Sequence, residues 1–224
     1  VYLPFWGCAF HEQFKADAAI MAKMAPGTQL VFLYLYYAEN TGSVNLTQIA
    51  KALSLSKATC TRAINDLSAS GLISQTAEGT NKWITTAYTK SELLEKAYGR
   101  LKTPVDRILY VKGTAQIEHP IASGIRALAR QSMIGVNDQD GAIAISKKEA
   151  AKIPAEDICT KQYFEDFGGA VIEVWSYDPI ILERDGCVDD ISLLLSMDND
   201  PNERVQTCLD EIRQKHGLPI KEEE

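Results

Sequence analysis

The stretch from Thr47 to Ile73 constrains the fold of this chain more than any other, because it predicts two short amphipathic helices joined by a three-residue turn. In both helices the apolar residues recur with spacings of three, one and three, which places them on one face. Such faces can be buried only against each other and against a third element. The apolar residues are Leu46, Ile49, Ala50 and Leu53 in the first helix and Cys60, Ala63, Ile64 and Leu67 in the second.

Capping residues mark where these helices begin and where the second one ends. Asn45 followed by Gln48 is a capping-box pattern, and Ser56 is a suitable N-cap for the second helix. We expect Leu55 to fill the turn and Gly71 to adopt the left-handed conformation that ends the second helix. The pattern therefore predicts a helix-turn-helix.

The flanking sequence predicts a helix before this motif and a hairpin after it. Residues 28–38 form an apolar run too short to span a bilayer, so we expect a buried helix there. Residues 72–76 and 82–87 are typical of strands, and the small and polar residues 77–81 lie between them. The predicted order is helix, helix-turn-helix and two-stranded wing.

This order resembles the winged helix-turn-helix of MarR-type bacterial regulators over roughly residues 26–87. The resemblance implies a protein that binds double-stranded DNA. Helix-turn-helix proteins gain affinity as two-fold dimers on paired half-sites, so we expect a homodimer.

The predicted DNA contacts lie off the apolar faces. Arg62 can contact guanine with two hydrogen bonds, and Asn65 can pair with adenine. A merely solvated helix face is the alternative. The predicted DNA-binding residues are Thr47 and Gln48 on phosphate, Lys57, Ala58, Thr59, Thr61, Arg62 and Asn65 on the second helix, and Thr80, Asn81 and Lys82 in the wing.

The net charge of −7 argues against a nucleic-acid binder until its distribution is considered. From Asp185 to Glu224 there are eleven acidic and four basic residues, and the rest of the chain is balanced. Between Pro26 and Lys90, five basic residues outnumber three acidic ones. This mild basic bias is typical of a specific DNA binder of moderate affinity.

Composition predicts a soluble, cytoplasmic protein with two domains. The chain has 224 residues, of which 46% are hydrophobic, and it contains neither a membrane-spanning run nor an N-terminal signal pattern. Its five cysteines include no CxxC pair, and only three histidines could join them. We therefore expect structural thiols, no metal site and no cofactor.

The acidic residues do not form a recognisable catalytic pattern. Asp189 and Asp190 are adjacent and cannot chelate one ion together, so we expect them at the start of a helix. A nuclease-like cluster of Glu165, Asp166 and Glu173 lacks the lysine that such a site needs two residues after its last acid. We therefore predict that the protein is not an enzyme.

The second half predicts an α/β module. We expect strands at 106–112, 142–146 and 170–176 and a helix from Ala122 to Met133 that turns Ile125, Leu128 and Ala129 inward. Two further helices are expected at 188–197 and 201–216, the latter with Asp200 as its N-cap. The predicted fold class is α+β, with a winged helix-turn-helix followed by a small α/β domain.

Residues 111–134 and 170–212 resemble the two-domain regulators and antitoxins of the AbiEi type. The resemblance implies a degenerate nucleotidyltransferase-like second domain, an autoregulatory repressor and a toxin partner. The alternative is a protein-interaction module, such as an antitoxin or scaffold that docks a protein partner.

The predicted domain limits follow these patterns. They are an aromatic N-terminal arm at 1–25, the winged helix at 26–89, a connecting helix at 90–104, the α/β domain at 105–218 and an acidic tail at 219–224. We expect the second domain to supply dimerisation or partner binding and its acidic end to face away from DNA.

Overall fold

The computed structural model describes residues 22–38, 44–78, 81–113, 116–135 and 141–221. Most of the predicted aromatic arm, the tip of the wing at Thr80 and the last three glutamates lie outside these ranges. The chain divides into two compact units, Val1–Leu101 and Lys102–Glu224. The domain limits expected from the sequence stay a prediction.

The described part of the first unit contains three helices before the wing, and its helix-turn-helix is confirmed. Helix α1 spans Pro26–Tyr37, α2 spans Leu46–Ala52 and α3 spans Lys57–Ala69. The predicted apolar residues of α3 are at most 1% exposed, and α3 packs against both α1 and α2. The turn between α2 and α3 contains Ser54 at φ 52°, a left-handed conformation that the sequence did not reveal.

The wing has one strand more than the sequence predicted. Strands β2 (Ser74–Glu78) and β3 (Asn81–Thr85) form the expected hairpin, and a two-residue strand β1 (Val44–Asn45) pairs with the other edge of β3. A strand this short has no periodicity to detect. Gly71, at φ +72°, follows the C-cap of α3 as predicted.

The last helix of the first unit is α4, Lys90–Tyr98. Thr89 and Glu92 form a capping box at its start, and Leu93, Leu94 and Ala97 are buried. It contacts α1, so it belongs to the core of this unit.

The second unit contains a mixed five-stranded sheet. Its strands are β4 (Val105–Val111), β5 (Ile121–Ala122), β6 (Ala142–Ser146), β7 (Ile158–Cys159) and β8 (Ala170–Trp175), in the spatial order β5-β6-β8-β4-β7. Of the strand pairs in the described residues of this sheet, β6 and β8 run parallel and the others antiparallel. The three long strands are confirmed, whereas the two-residue edge strands were not predicted.

The helices of the second unit are α5 (Gly124–Gln131), α6 (Lys147–Ala150), α7 (Lys161–Phe167), α8 (Asp190–Met197) and α9 (Glu203–Lys215). Helices α5, α8 and α9 pack on one another, and α5 also packs on β6. Val111, Ile145, Ile172 and Val174 of the sheet form one buried cluster with Ala150 of α6. Helices α6 and α7 were not predicted.

Four details predicted for these helices are wrong. Helix α5 begins two residues later than expected and buries Ala127 with Leu128, while Ile125 and Ala129 stay half-exposed. The later start follows because Ile121 and Ala122 pair with β6 as strand β5 and Ser123 is extended.

The N-cap of α9 is Asn202, not Asp200, because the Asn202 side chain accepts the backbone N–H of Arg204. Asp200 instead accepts the backbone N–H of Asn202. Helix α8 likewise starts two residues after Val188, since Asp189 is its N-cap.

Candidate nucleic-acid interface

The reading helix, α3 (Lys57–Ala69), separates a polar face from a buried one. Ser56 caps it by accepting the backbone N–H of Thr59 at 3.1 Å. Opposite the buried stripe, Lys57, Ala58, Arg62 and Asn65 are exposed, as their predicted role requires. Thr61 is half-buried.

Thr59 contributes to the local fold of α3. Its hydroxyl lies 2.9 Å from the Ser56 hydroxyl, within hydrogen-bond distance. Its methyl group lies so near α1 that a Cβ added at Gly27 would approach it to 2.9 Å. The small residue at Gly27 therefore lets α1 lie against the start of α3.

Arg62 lies along the exposed face of its own helix. Its Nε donates to the Ala58 carbonyl at 3.3 Å, and its Nη2 donates to the Thr59 hydroxyl at 3.5 Å. Both bonds are exposed to solvent and can be exchanged for a stronger acceptor pair such as a guanine edge.

Asn65 links the reading helix to the wing. Its Oδ1 accepts a hydrogen bond from Nε2 of Gln75 on β2 at 3.4 Å. Gln75 was not predicted, because nothing in the local sequence pattern places it opposite Asn65. The contact holds one carboxamide of the polar face in a defined orientation.

Thr47 and Gln48 lie exposed at the start of α2. The predicted capping box is confirmed: Asn45 Oδ1 accepts the Thr47 N–H at 2.8 Å, and Gln48 Oε1 accepts the Asn45 N–H at 3.3 Å. The Thr47 N–H is therefore already bonded, so phosphate would be bound by the hydroxyl and the carboxamide NH2.

The two described wing residues lie at the beginning of β3. Asn81 pairs with Glu78 and Lys82 with Ala77 across the hairpin, next to its tip. The third predicted wing residue, Thr80, lies outside the described ranges.

Comparison with protein families agrees with this geometry. Residues 28–82 match the MarR family model. The match supports a MarR-like winged-helix DNA-binding regulator, and it covers only part of the first unit. The chain has no significant match among curated proteins or solved structures.

Helix α3 is also held by a side chain that the local sequence pattern does not reveal. Arg100, which follows α4, is 4% exposed, and its Nη2 lies 2.9 Å and 3.1 Å from the two carboxylate oxygens of Asp66. A separation of 34 residues hides this pair from any local pattern.

Cys60 is part of the MarR-like core. Burial raises the pKa of its thiol, which donates to the Leu46 carbonyl at 3.8 Å. A protonated, buried thiol is unreactive, as expected of a structural cysteine. No group of metal-ligating side chains occurs among the described residues.

The acids considered for catalysis lie on two elements, Glu165 and Asp166 on α7 and Glu173 on β8. Glu165 pairs with Lys161 on the exposed helix α7. Glu173 lies in the sheet and accepts a hydrogen bond from Trp175 Nε1 at 3.0 Å. Burial raises the pKa of Glu173, against the effect of that hydrogen bond.

Asp190 forms ion pairs at the start of α8. Burial alone would raise the pKa of Asp190, but hydrogen bonds from His216 and Lys215 and their charges lower it to about 2. Its carboxylate lies 2.7 Å from Lys215 Nζ and 2.8 Å from His216 Nε2.

No described helix is long and apolar enough to cross a membrane.

Proposed function

We propose that this protein is a sequence-specific regulator of transcription that binds double-stranded DNA and acts as a repressor, including of its own gene. The observation that carries the proposal is the capped helix α3, whose exposed polar face lies opposite a fully buried stripe. The match of residues 28–82 to the MarR family supports the same assignment.

In this proposal each predicted contact residue has a role set by its chemistry. Arg62 and Asn65 read base edges, while Lys57, Ala58, Thr59 and Thr61 lie along the groove. Thr47 and Gln48 bind phosphate through hydroxyl and carboxamide, and Thr80, Asn81 and Lys82 of the wing reach the backbone or the minor groove.

We further propose that the second unit makes the protein a homodimer or binds a protein partner, and performs no chemistry. The resemblance to AbiEi-type proteins supports a degenerate nucleotidyltransferase-like fold and a toxin as that partner. The location of such a regulator would be the cytoplasm.

A protein-docking role is the second candidate function. Ile108, Ile158, Tyr163 and Phe167 of the second unit are large apolar side chains between 38% and 74% exposed. Exposed apolar side chains of this size are typical of protein interaction sites when they are contiguous. The salt dependence of binding distinguishes the two functions. Affinity that rests on phosphate contacts falls steeply with ionic strength, whereas the affinity of an apolar interface does not.

Arg62→Ala tests the DNA-binding function. We expect loss of roughly 1 to 3 kcal/mol of discrimination between a duplex selected by the intact protein and a scrambled duplex, with little change in thermal stability. Mobility-shift titrations at several salt concentrations measure this.

Lys90→Ala is the matched control, since it removes an exposed positive charge from the same unit. Equal discrimination by the Arg62→Ala protein and the intact protein would remove Arg62 from the reading surface. Binding that does not depend on salt would favour the docking function.

A further inference from the structure

Arg100 is fixed by contacts with two separate parts of the first unit. Besides its double hydrogen bond to Asp66 on α3, its Nε donates to the Ala22 carbonyl at 2.9 Å. Its own carbonyl accepts the backbone N–H of Met24 at 2.8 Å. These contacts position the Arg100 guanidinium independently of its hydrogen bonds to Asp66.

Asp66 lies next to Arg62 on the helix surface, because side chains four residues apart are neighbours there. Opposite charges at this spacing attract each other. About a third of the Asp66 side chain is exposed, so its carboxylate has room to turn.

Arg62 nevertheless makes its hydrogen bonds away from Asp66. They go to Ala58 and Thr59, in the preceding turn of the helix. Both carboxylate oxygens of Asp66 accept instead from Arg100. Both arginines thus have the Asp66 carboxylate as a neighbour, and the buried Arg100 binds it.

We propose that Arg100 is a positioning residue for DNA reading: by holding Asp66, it keeps that carboxylate from pairing with Arg62. This inference rests on the proposed function, since it concerns the availability of Arg62 for a base edge. Arg100 also neutralises a negative charge that would otherwise lie on the helix facing the phosphates.

The test compares four variants with the intact protein. They are Arg100→Met, Asp66→Asn, the double variant and Lys90→Met, which removes an exposed cation from α4 as the control for charge. The probes are a duplex selected by the intact protein from a random library and a scrambled duplex of the same composition. Fluorescence anisotropy gives the affinities, and circular dichroism gives the melting temperature and the folded fraction.

We expect Arg100→Met to weaken binding of the selected duplex about tenfold, the size of losing one base contact, and Lys90→Met to have a smaller effect. Adding Asp66→Asn should restore the affinity to within about threefold of the intact protein, even though both partners of the buried pair are then missing. A purely structural role predicts no such recovery. The single variant Asp66→Asn should bind the selected duplex at least as tightly as the double variant does.

Two outcomes would overturn the inference. One is an Arg100→Met protein that binds the selected duplex as tightly as Lys90→Met does. The other is a double variant that binds as weakly as Arg100→Met, which would mean that Arg100 only holds α3 in position. If Arg100→Met does not fold, Arg100→Lys replaces it, because lysine keeps the charge but cannot form the two-pronged contact.

A measurement without DNA separates this inference from the proposed function. The Nε–H resonance of Arg62 should shift in Arg100→Met and return in the double variant, as the carboxylate partner appears and is removed. An unshifted resonance contradicts the inference whatever the protein binds. If the intact protein bound the selected and the scrambled duplex with equal affinity at all salt concentrations, that result would instead contradict the proposed function alone.

Discussion

On helix α3, Lys57 and Arg62 are exposed and pair with no carboxylate in the described part of the chain, whereas on α9 Arg213 and Lys215 each contact an aspartate. Helix α3 thus presents its positive charge to solvent, and α9 uses its positive charge to hold the fold. Charge counted along the sequence does not distinguish these uses.

Several acidic side chains near the C-terminal end of the chain are held in ion pairs with basic residues. Asp198 contacts both Arg213 and Lys221, Asp210 contacts Arg213, and Asp190 contacts Lys215. Arg213 is 3% exposed, so its two carboxylates compensate a buried charge. Asp190, Asp198 and Asp210 thus belong to ion pairs that hold α9, although the net negative charge of this end of the chain is unchanged.

Truncation after Leu101 should have the largest effect, because it removes the whole second unit from the first. We expect the first unit to fold and to retain weak, salt-sensitive binding, while affinity for the selected duplex falls more than about a hundredfold because the two-fold assembly is lost. Titration of fragment and intact protein on the same duplex measures this. Equal affinity would give the second unit a ligand-sensing or catalytic role instead.

Arg213→Met tests the internal use of charge in the second unit. Removing the guanidinium leaves Asp198 and Asp210 without their buried partner, so we expect a loss of about 3 to 5 kcal/mol in the free energy of unfolding. Lys161→Met removes an exposed pair with Glu165 and should cost less than about 1 kcal/mol. Urea unfolding measures the free energy of unfolding of both variants. Similar losses in the two would contradict the expectation that the buried Arg213 pairs stabilise the fold more than an exposed pair does.

Leu209→Ala tests whether α9 is docked by apolar packing as well as by ion pairs. Leu209 is fully buried, and the cavity left by alanine should cost about 2 to 5 kcal/mol of stability. Thermal unfolding is the measurement. A melting temperature equal to that of the intact protein would show that the ion pairs alone hold this helix.

The smallest expected effect is the pH dependence that Asp190 contributes. The pKa of Asp190 is lowered from 3.8 to about 2 in the folded protein, so its ion pairs stabilise the fold fully above pH 3.8. About 2 kcal/mol of stability is then lost as the pH falls from 3.8 through 2. Asp190→Asn should flatten the stability profile in this window, and an unchanged slope would assign the acid sensitivity elsewhere.

The first unit was predictable because its signals are local. The stripe from Cys60 to Leu67, the Ser56 cap, the Asn45 capping box and Gly71 each act within a few residues, and all are confirmed. The exposure of Arg62 and Asn65 follows from the same periodicity, because a helix that buries one face exposes the other.

Periodicity and capping were enough to predict which segments of the first unit are helical and which face of α3 is polar, since both are properties of neighbouring residues. The contacts of those side chains depend on how distant elements pack. The tertiary structure joined Arg100 to Asp66 across 34 residues, Gln75 to Asn65, and Asp190 to His216. It also added the two-residue strands, whose pairing depends on strands distant in the chain. Contacts of this kind arise when separate elements pack, so no local pattern encodes them.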